Sequence, residues 1–161
     1  MVKNNITIQD ARIIFRNFAG KESRYNAKGS RNFCVILDED LATQLSEDGW
    51  NVKWPKESED TDETKELKPY IQVKVKYGEI PPKVVLITSR GQQKLDEEDI
   101  SMLDWAAIDT VDLVIRPYNY EVRGNSGVSA YLRSMYVTIA EDELDIKYSN
   151  IPEISKQYDE E

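Results

Sequence analysis

The chain has no histidine and one cysteine, Cys34, among its 161 residues. Without histidine there is no imidazole base and no imidazole metal ligand, and a lone cysteine forms neither an internal disulfide nor a thiolate zinc cluster. Most familiar catalytic designs are thereby closed, and nothing points to an oxidising compartment. No apolar run reaches eighteen residues and the opening MVKNNITIQD is polar, so neither a membrane helix nor a leader is expected. A phosphate loop of the Walker type is missing, because Gly20-Lys21 lacks the preceding glycine at the required spacing, and there is no G-x-S-x-G elbow. The acids Asp96, Glu97, Glu98 and Asp99, with Asp104, Asp109 and Asp112 downstream, are hard oxygen ligands in principle, but acids in a first helical turn are common and need no metal to explain them. The expectation is a soluble, cytoplasmic protein that is not an enzyme and needs no cofactor.

What is present is charge, unevenly placed. The formal net charge is −9, yet residues 1–36 carry Lys3, Arg12, Arg16, Lys21, Arg24, Lys28 and Arg31 against Asp10 and Glu22, a local net of +5. Residues 38–66 hold eleven acids and three lysines, a net of −8, and residues 139–161 eight acids and two lysines, a net of −6. An acidic total therefore does not exclude a polyanion partner, since binding depends on the local face. Phe15, Phe18, Tyr25 and Phe33 are interleaved with the basic block, and alternating rings and cations are the pattern of a single-stranded nucleic-acid surface. Phe15 and Phe33 sit inside apolar runs and are expected in the core; Tyr25, between Arg24 and Asn26, is the expected exposed ring.

In chain order, residues 5–18 alternate like a long first strand with a bulge near Gln9-Asp10. A basic crossing bracketed by Gly20 and Gly29 leads to a second strand, Asn32 to Leu37. Asp38 is placed as an N-cap and Gly49 as the stop of a short helix with Leu41 and Leu45 on one face. Trp50 to Trp54 reads as a third strand with both tryptophans on one side, and residues 56–66, which lack large apolar side chains, as an acidic mobile loop. KPYIQVKVKY alternates cleanly, with Ile71, Val73, Val75 and Tyr77 on one face and Gln72, Lys74 and Lys76 on the other; two cations on an outer face are usually solvation and sometimes phosphate contacts. Lys83 to Thr88 reads as a buried strand, and Asp96 as the cap of a helix over 97–104.

Val111 to Val122 and Val128 to Ile139 form the longest hairpin, joined through Arg123-Gly124-Asn125-Ser126-Gly127. It carries a second concentration of rings and guanidinium groups, with Arg116, Tyr118 and Tyr120 on one surface unless a bulge at Pro117 changes the register. Strands outnumber helices, so the expected architecture is mainly β, a small antiparallel β-barrel of five or six strands or a strongly bent sheet, with one or two short helices and long loops. The expected core includes Val35, Ile36, Val73, Val75, Leu86, Leu113, Ile115, Leu132 and Val137.

The segments RIIFRNFAGKESRYNAKGSRNFCVILD, DGWNVKW, PYIQVKVKY, LDWAAIDTVDLVIRPYNY and GVSAYLRSMYVTI together resemble the single-stranded DNA-binding-like proteins of phages and prophages, over residues 11–139. The resemblance implies an OB-fold-like domain over residues 1–140 followed by an acidic tail, residues 141–161. It also implies a barrel face and loops that grip single-stranded DNA with little sequence preference, in replication or recombination inside the infected or lysogenic host. Carried onto this sequence, the nucleic-acid-binding candidates are Arg12, Arg16, Lys21, Arg24, Tyr25, Lys28 and Arg31 in the first block, and Arg116, Tyr118, Tyr120, Arg123 and Tyr131 in the hairpin. The tail ends Tyr158-Asp159-Glu160-Glu161 without the terminal aromatic frequent in such proteins, which puts recruitment of replication proteins by the tail in question. The competing reading is a phage-encoded acidic inhibitor that mimics nucleic acid towards a host defence protein; the −8 and −6 blocks favour it, the +5 block and its rings favour DNA. Monomer and dimer are both left open.

Overall fold

The computed structural model describes residues 1–55, 68–152 and 154. The expected mobile loop at 56–66 and the end of the acidic tail lie outside these residues. Among the described residues nine strands form one sheet: β1 (Ile6–Ala11), β2 (Ile13–Asn17), β3 (Arg31–Ile36), β4 (Val52–Lys53), β5 (Tyr70–Val75), β6 (Lys83–Thr88), β7 (Gly91–Leu95), β8 (Ile108–Val122) and β9 (Asn125–Ile139). Two helices, α1 (Glu39–Asp48) and α2 (Glu143–Lys147), and a 3-10 helix (Ile100–Asp104) complete them.

The main path of the sheet runs β1-β8-β9-β5-β3-β2, with β4 added to β5 and the β6–β7 hairpin added to β9. The path is not closed by a ladder, but its two end strands are consecutive in the chain with only Arg12 between them. The sheet must therefore curl until its ends meet, which is the partly open barrel of an OB-like fold. The expected antiparallel barrel of five or six strands is in fact a mixed sheet of nine, because β5–β9 and β6–β9 pair in parallel and the short β4 and the β6–β7 hairpin add to the six-stranded path.

The bend that the sequence placed near Gln9-Asp10 is real. The β1–β8 register slips between Ile8 and Ala11, Asp10 takes φ 52°, and its N–H donates to Asp112 Oδ1 at 2.8 Å. The long first strand is thus two strands, which pair with opposite ends of the sheet. A second bulge follows at once: Ile14 faces Cys34 and Asn17 faces Asn32, so Phe15 and Arg16 together oppose Phe33. Phe15 takes φ 51° there, a left-handed conformation that costs a non-glycine residue on the order of 1 kcal/mol or more. Phe15 is consequently 68% exposed, against the core position expected for it, whereas Phe33 is buried and stacks on buried Phe18 at 5.0 Å.

Of the nine expected core residues eight are buried, and Ile36 is half-buried on the outer side of β3. Leu132 and Val137 are five residues apart and cannot share a face of a regular strand. A bulge reconciles them: Ile115 pairs with Leu132 and Val114 with Ser134, leaving Arg133 as the extra residue of β9. The register is continuous through Pro117, so Arg116, Tyr118 and Tyr120 keep one face. The hairpin is tighter than expected, a two-residue turn of Arg123 and Gly124 with φ 53° and 80°, the primed geometry that matches strand twist.

Helix α1 follows its signals. Asp38 accepts from Leu41 N–H, Gly49 closes the helix at φ 101°, and Ala42 and Leu45 are buried. Three other expectations are corrected. Trp50 and Trp54 do not share a face, since Trp50 is buried and Trp54 exposed; the N–H of Val52 turns back to Trp50 O and leaves only Val52–Lys53 as strand. The expected helix at 97–104 is a turn, over which Asp96 Oδ1 accepts from Glu98 and Asp99 N–H, followed by the short 3-10 helix; Ile100 and Leu103 face inward as expected. Strand β7 has no signature in the sequence, because Gly91-Gln92-Gln93-Lys94 has no apolar face and anchors the edge only through buried Leu95.

Candidate nucleic-acid interface

The crossing from β2 to β3 is cinched at its base. Gly20 (φ 69°) and Gly29 (φ 88°) approach so closely that a Cβ on Gly20 would sit 3.0 Å from the Gly29 carbonyl carbon, and Gly29 N–H donates to Gly20 O at 2.8 Å. Inside this neck Asn26 binds the loop together: its amide nitrogen donates to the carbonyls of Lys21 and Ser30, and its Oδ1 accepts from Asn32 Nδ2 at 2.9 Å. Ser23 and Asn26 exchange backbone hydrogen bonds, a tight turn that holds Arg24 and Tyr25 at its tip. Tyr25 is 90% exposed, and the Arg24 guanidinium lies 5.7 Å from its ring centre.

The other side of the crossing is anchored to the 3-10 helix. Asp104 accepts from the N–H groups of Phe18 and Ala19, and Arg16 Nη1 donates to the carbonyls of Leu103 and Ala106. The Lys21 ammonium sits 4.8 Å from the ring centre of Trp105, which is 78% exposed. Arg31 donates to Phe18 O at 2.7 Å and lies 3.7 Å from Glu97, so its guanidinium is largely committed to the scaffold. Three of the acids weighed as metal ligands have other roles: Asp96 caps the turn, Asp104 holds the crossing and Asp112 holds the first bulge.

Between this crossing and the outer faces of β3, β5 and β9 runs a groove of about 560 Å³. Tyr25 and Asn32 line one side, Gln72, Lys74 and Lys76 the floor, and Tyr131 the far wall. Tyr131 is the centre of a cluster: the Arg116 guanidinium lies 4.8 Å from its ring centre, the Lys74 ammonium 5.8 Å, and Tyr118 meets it edge-on at 5.6 Å. Arg116 Nε is buried with no hydrogen-bond partner among the described residues, so the stack on Tyr131 is the main contact orienting it. Tyr77 also lines the groove; burial pushes its phenol up to about 12, partly offset by Arg31, so it remains a neutral hydroxyl. The lining carries Arg31, Lys74 and Lys76 against Glu97 alone, and Glu97 faces Arg31.

The sequence candidates therefore separate by place. Tyr25, Arg31 and Tyr131 line the groove, Arg24, Arg116 and Tyr118 adjoin it through ring contacts, and Lys28 is exposed on the crossing. Arg16 and Lys21 face the 3-10 helix, Arg12 is exposed at the β1–β2 junction, and Arg123 is in the hairpin turn. Tyr120 lies over Gly127, its cross-strand partner, where a Cβ would meet the phenol oxygen at 2.5 Å, and its hydroxyl exchanges hydrogen bonds with Asn51. The outward alternation of Gln72, Lys74 and Lys76 is visible in the sequence, where the two cations read as solvation or as phosphate contacts; that they floor a groove is not, and nothing in the sequence marks Asn26 as the knot of the crossing.

Chemically the groove offers cations for phosphates and rings for bases along one path, which is what a single strand requires. Solved structures share the fold. The C-terminally truncated single-stranded DNA-binding protein of bacteriophage Enc34 superposes with a TM-score of 0.52 at 13% identity, covering 86% of this chain and 87% of that one. The same phage's protein without that truncation gives 0.51 at 14% identity, covering 91% and 88%. Its complex with single-stranded DNA gives 0.50 at 13%, covering 86% and 88%. No curated protein matches the chain in sequence. The family model of the phage ssDNA-binding domain matches residues 1–160, and so the chain belongs to the phage ssDNA-binding domain family and is by that membership a single-stranded DNA-binding protein.

Proposed function

We propose that this chain holds single-stranded DNA in the groove between the β2–β3 crossing and the outer faces of β3, β5 and β9, with Tyr25 and Tyr131 as stacking platforms and Lys74, Lys76, Arg24 and Arg116 as the main phosphate partners. The observation that carries the reading is the cluster around Tyr131, where a ring from β9 is flanked by cations from β5 and β8 at the edge of a groove whose opposite wall bears an exposed tyrosine. Rings and cations bind any base and any phosphate, so little sequence preference is expected. Among the described residues no acid of α1 or α2 lines the groove. A binding role without catalysis accords with the family.

The test is fluorescence anisotropy with a labelled oligonucleotide across a salt series. About four to six neutralised phosphates give a slope of log K against log salt of roughly −3 to −4. Binding that ignores salt, or that prefers duplex, would remove the groove from this role.

A further inference from the structure

Phe15 and Tyr70 form an edge-on ring pair, 5.7 Å between centres at 72°, outside the groove. Two features of Phe15 require explanation. It lies in the apolar run Ile13-Ile14-Phe15, where continued alternation would turn it inward beside Ile13, yet it is 68% exposed. It is held there by a left-handed backbone that glycine would adopt without strain, and strained conformations of this kind persist where the surrounding structure fixes them, often at binding sites.

The position of the pair supplies the explanation. On β5 the buried residues are Ile71, Val73 and Val75, so Tyr70 shares the outward face with Gln72, Lys74 and Lys76. Tyr70 pairs with Lys53 of β4 and Lys74 with Tyr131 of β9, so the two ring clusters mark the two ends of one outward face. Four residues of strand separate them, roughly 13 Å at about 3.3 Å per residue. Lys53 is exposed and is the cross-strand partner of Tyr70, which places a cation beside the ring pair.

We propose that Phe15 and Tyr70, with Lys53, are a second stacking station for the same single strand, so that the bound DNA crosses the whole outward face of β3 and β5 rather than ending in the groove. This rests on the groove being the primary site. Continuity of the face with that groove, rings for bases and a lysine for phosphate select the continuing strand as the occupant.

The test compares wild type with Phe15→Gly and Tyr70→Ala on two oligothymidylates, one of about 4 and one of about 12 nucleotides, the first at the lower end and the second well inside the range of about 4 to 16 for one domain of this type. Phe15→Gly removes the ring and also the backbone strain, so an unchanged or higher melting temperature separates lost contact from lost fold. The expected result is unchanged affinity for the short oligonucleotide and a loss of about five-fold or more for the long one, the scale of one stacking platform. Equal affinity of variants and wild type for the long oligonucleotide would overturn the second station while leaving the groove intact. Equal loss on both lengths would also overturn it, by placing the rings within the primary footprint. Failure of wild type to bind either length would instead bring down the groove reading, and this one with it.

Discussion

Arg116 and Tyr131 face each other as cross-strand partners in β8 and β9, with the guanidinium 4.8 Å from the ring centre. Lys74, on the other neighbour of β9, holds its ammonium 5.8 Å from the same ring, so Tyr131 lies between two cations. Arg116 Nε is buried without a hydrogen-bond partner among the described residues, so its ring contact is what orients it.

Replacing Tyr131 by Ala should cost about 1–3 kcal/mol of single-strand affinity, the range for one stacking platform. It also frees Arg116 and Lys74, so the salt slope should change less than the affinity does. Anisotropy at two salt concentrations reads both quantities.

Lys74→Gln and Lys76→Gln should each flatten the salt slope by about 0.7 and weaken binding alike on all sequences. Both side chains are exposed on an outer face, so melting temperatures should stay within a degree or two of wild type. A double variant that flattens the slope by no more than a single one would show that one of the two lysines makes no phosphate contact.

Tyr120→Phe should lower stability by about 1 kcal/mol, because its hydroxyl and the Asn51 amide lose their mutual hydrogen bonds. Affinity per folded molecule should not move. A loss of affinity at unchanged melting temperature would return Tyr120 to the binding surface.

Gly20→Ala should both destabilise the chain and weaken binding. The Cβ meets the backbone of Gly29 at 3.0 Å and the φ of 69° is unfavourable for alanine, so the neck of the crossing must open. Tyr25 and Arg24 then lose their fixed placement, and hydrogen exchange of the Gly29 and Asn26 amides should accelerate relative to β8 and β9.

Cys34 should react slowly with thiol reagents in the native protein. Burial pushes its thiol up to about 11, against the opposing pull of Lys53, so almost none is thiolate at pH 8. A thiol whose folded pKa is raised contributes stability that is intact below its unfolded value, near 9, and is lost as pH rises towards 11. Alkylation rates at pH 8 and a melting series between pH 8 and 11 check both statements; Cys34→Ser should remove the loss that sets in near pH 9 and leave the part due to Tyr77, whose raised phenol adds its own loss above about pH 10.

What the sequence determined by itself was whatever depends on neighbours within a few residues. The capped helix α1, the alternation of β5 and the long hairpin were legible because N-caps, period-two patterns and glycine turns are local signals. The basic first block and the exposure of Tyr25 were legible for the same reason, since a short polar loop cannot bury a ring by itself. Tertiary structure alone decided the rest. Phe15 looks like core until two bulged residues are set against Phe33, and Leu132 and Val137 have incompatible parity until Arg133 is looped out of the β8–β9 ladder. The hairpin tyrosines are alike in sequence, yet Tyr131 sits among cations at the groove while Tyr120 covers Gly127 and bonds to Asn51, 69 residues away. A bulge changes which face a side chain occupies, and its position follows from the register of two strands distant in the chain. The bulge near Gln9-Asp10 was legible because it interrupts the alternation of its own strand; those at Phe15 and Arg133 fall inside runs whose local pattern does not mark them.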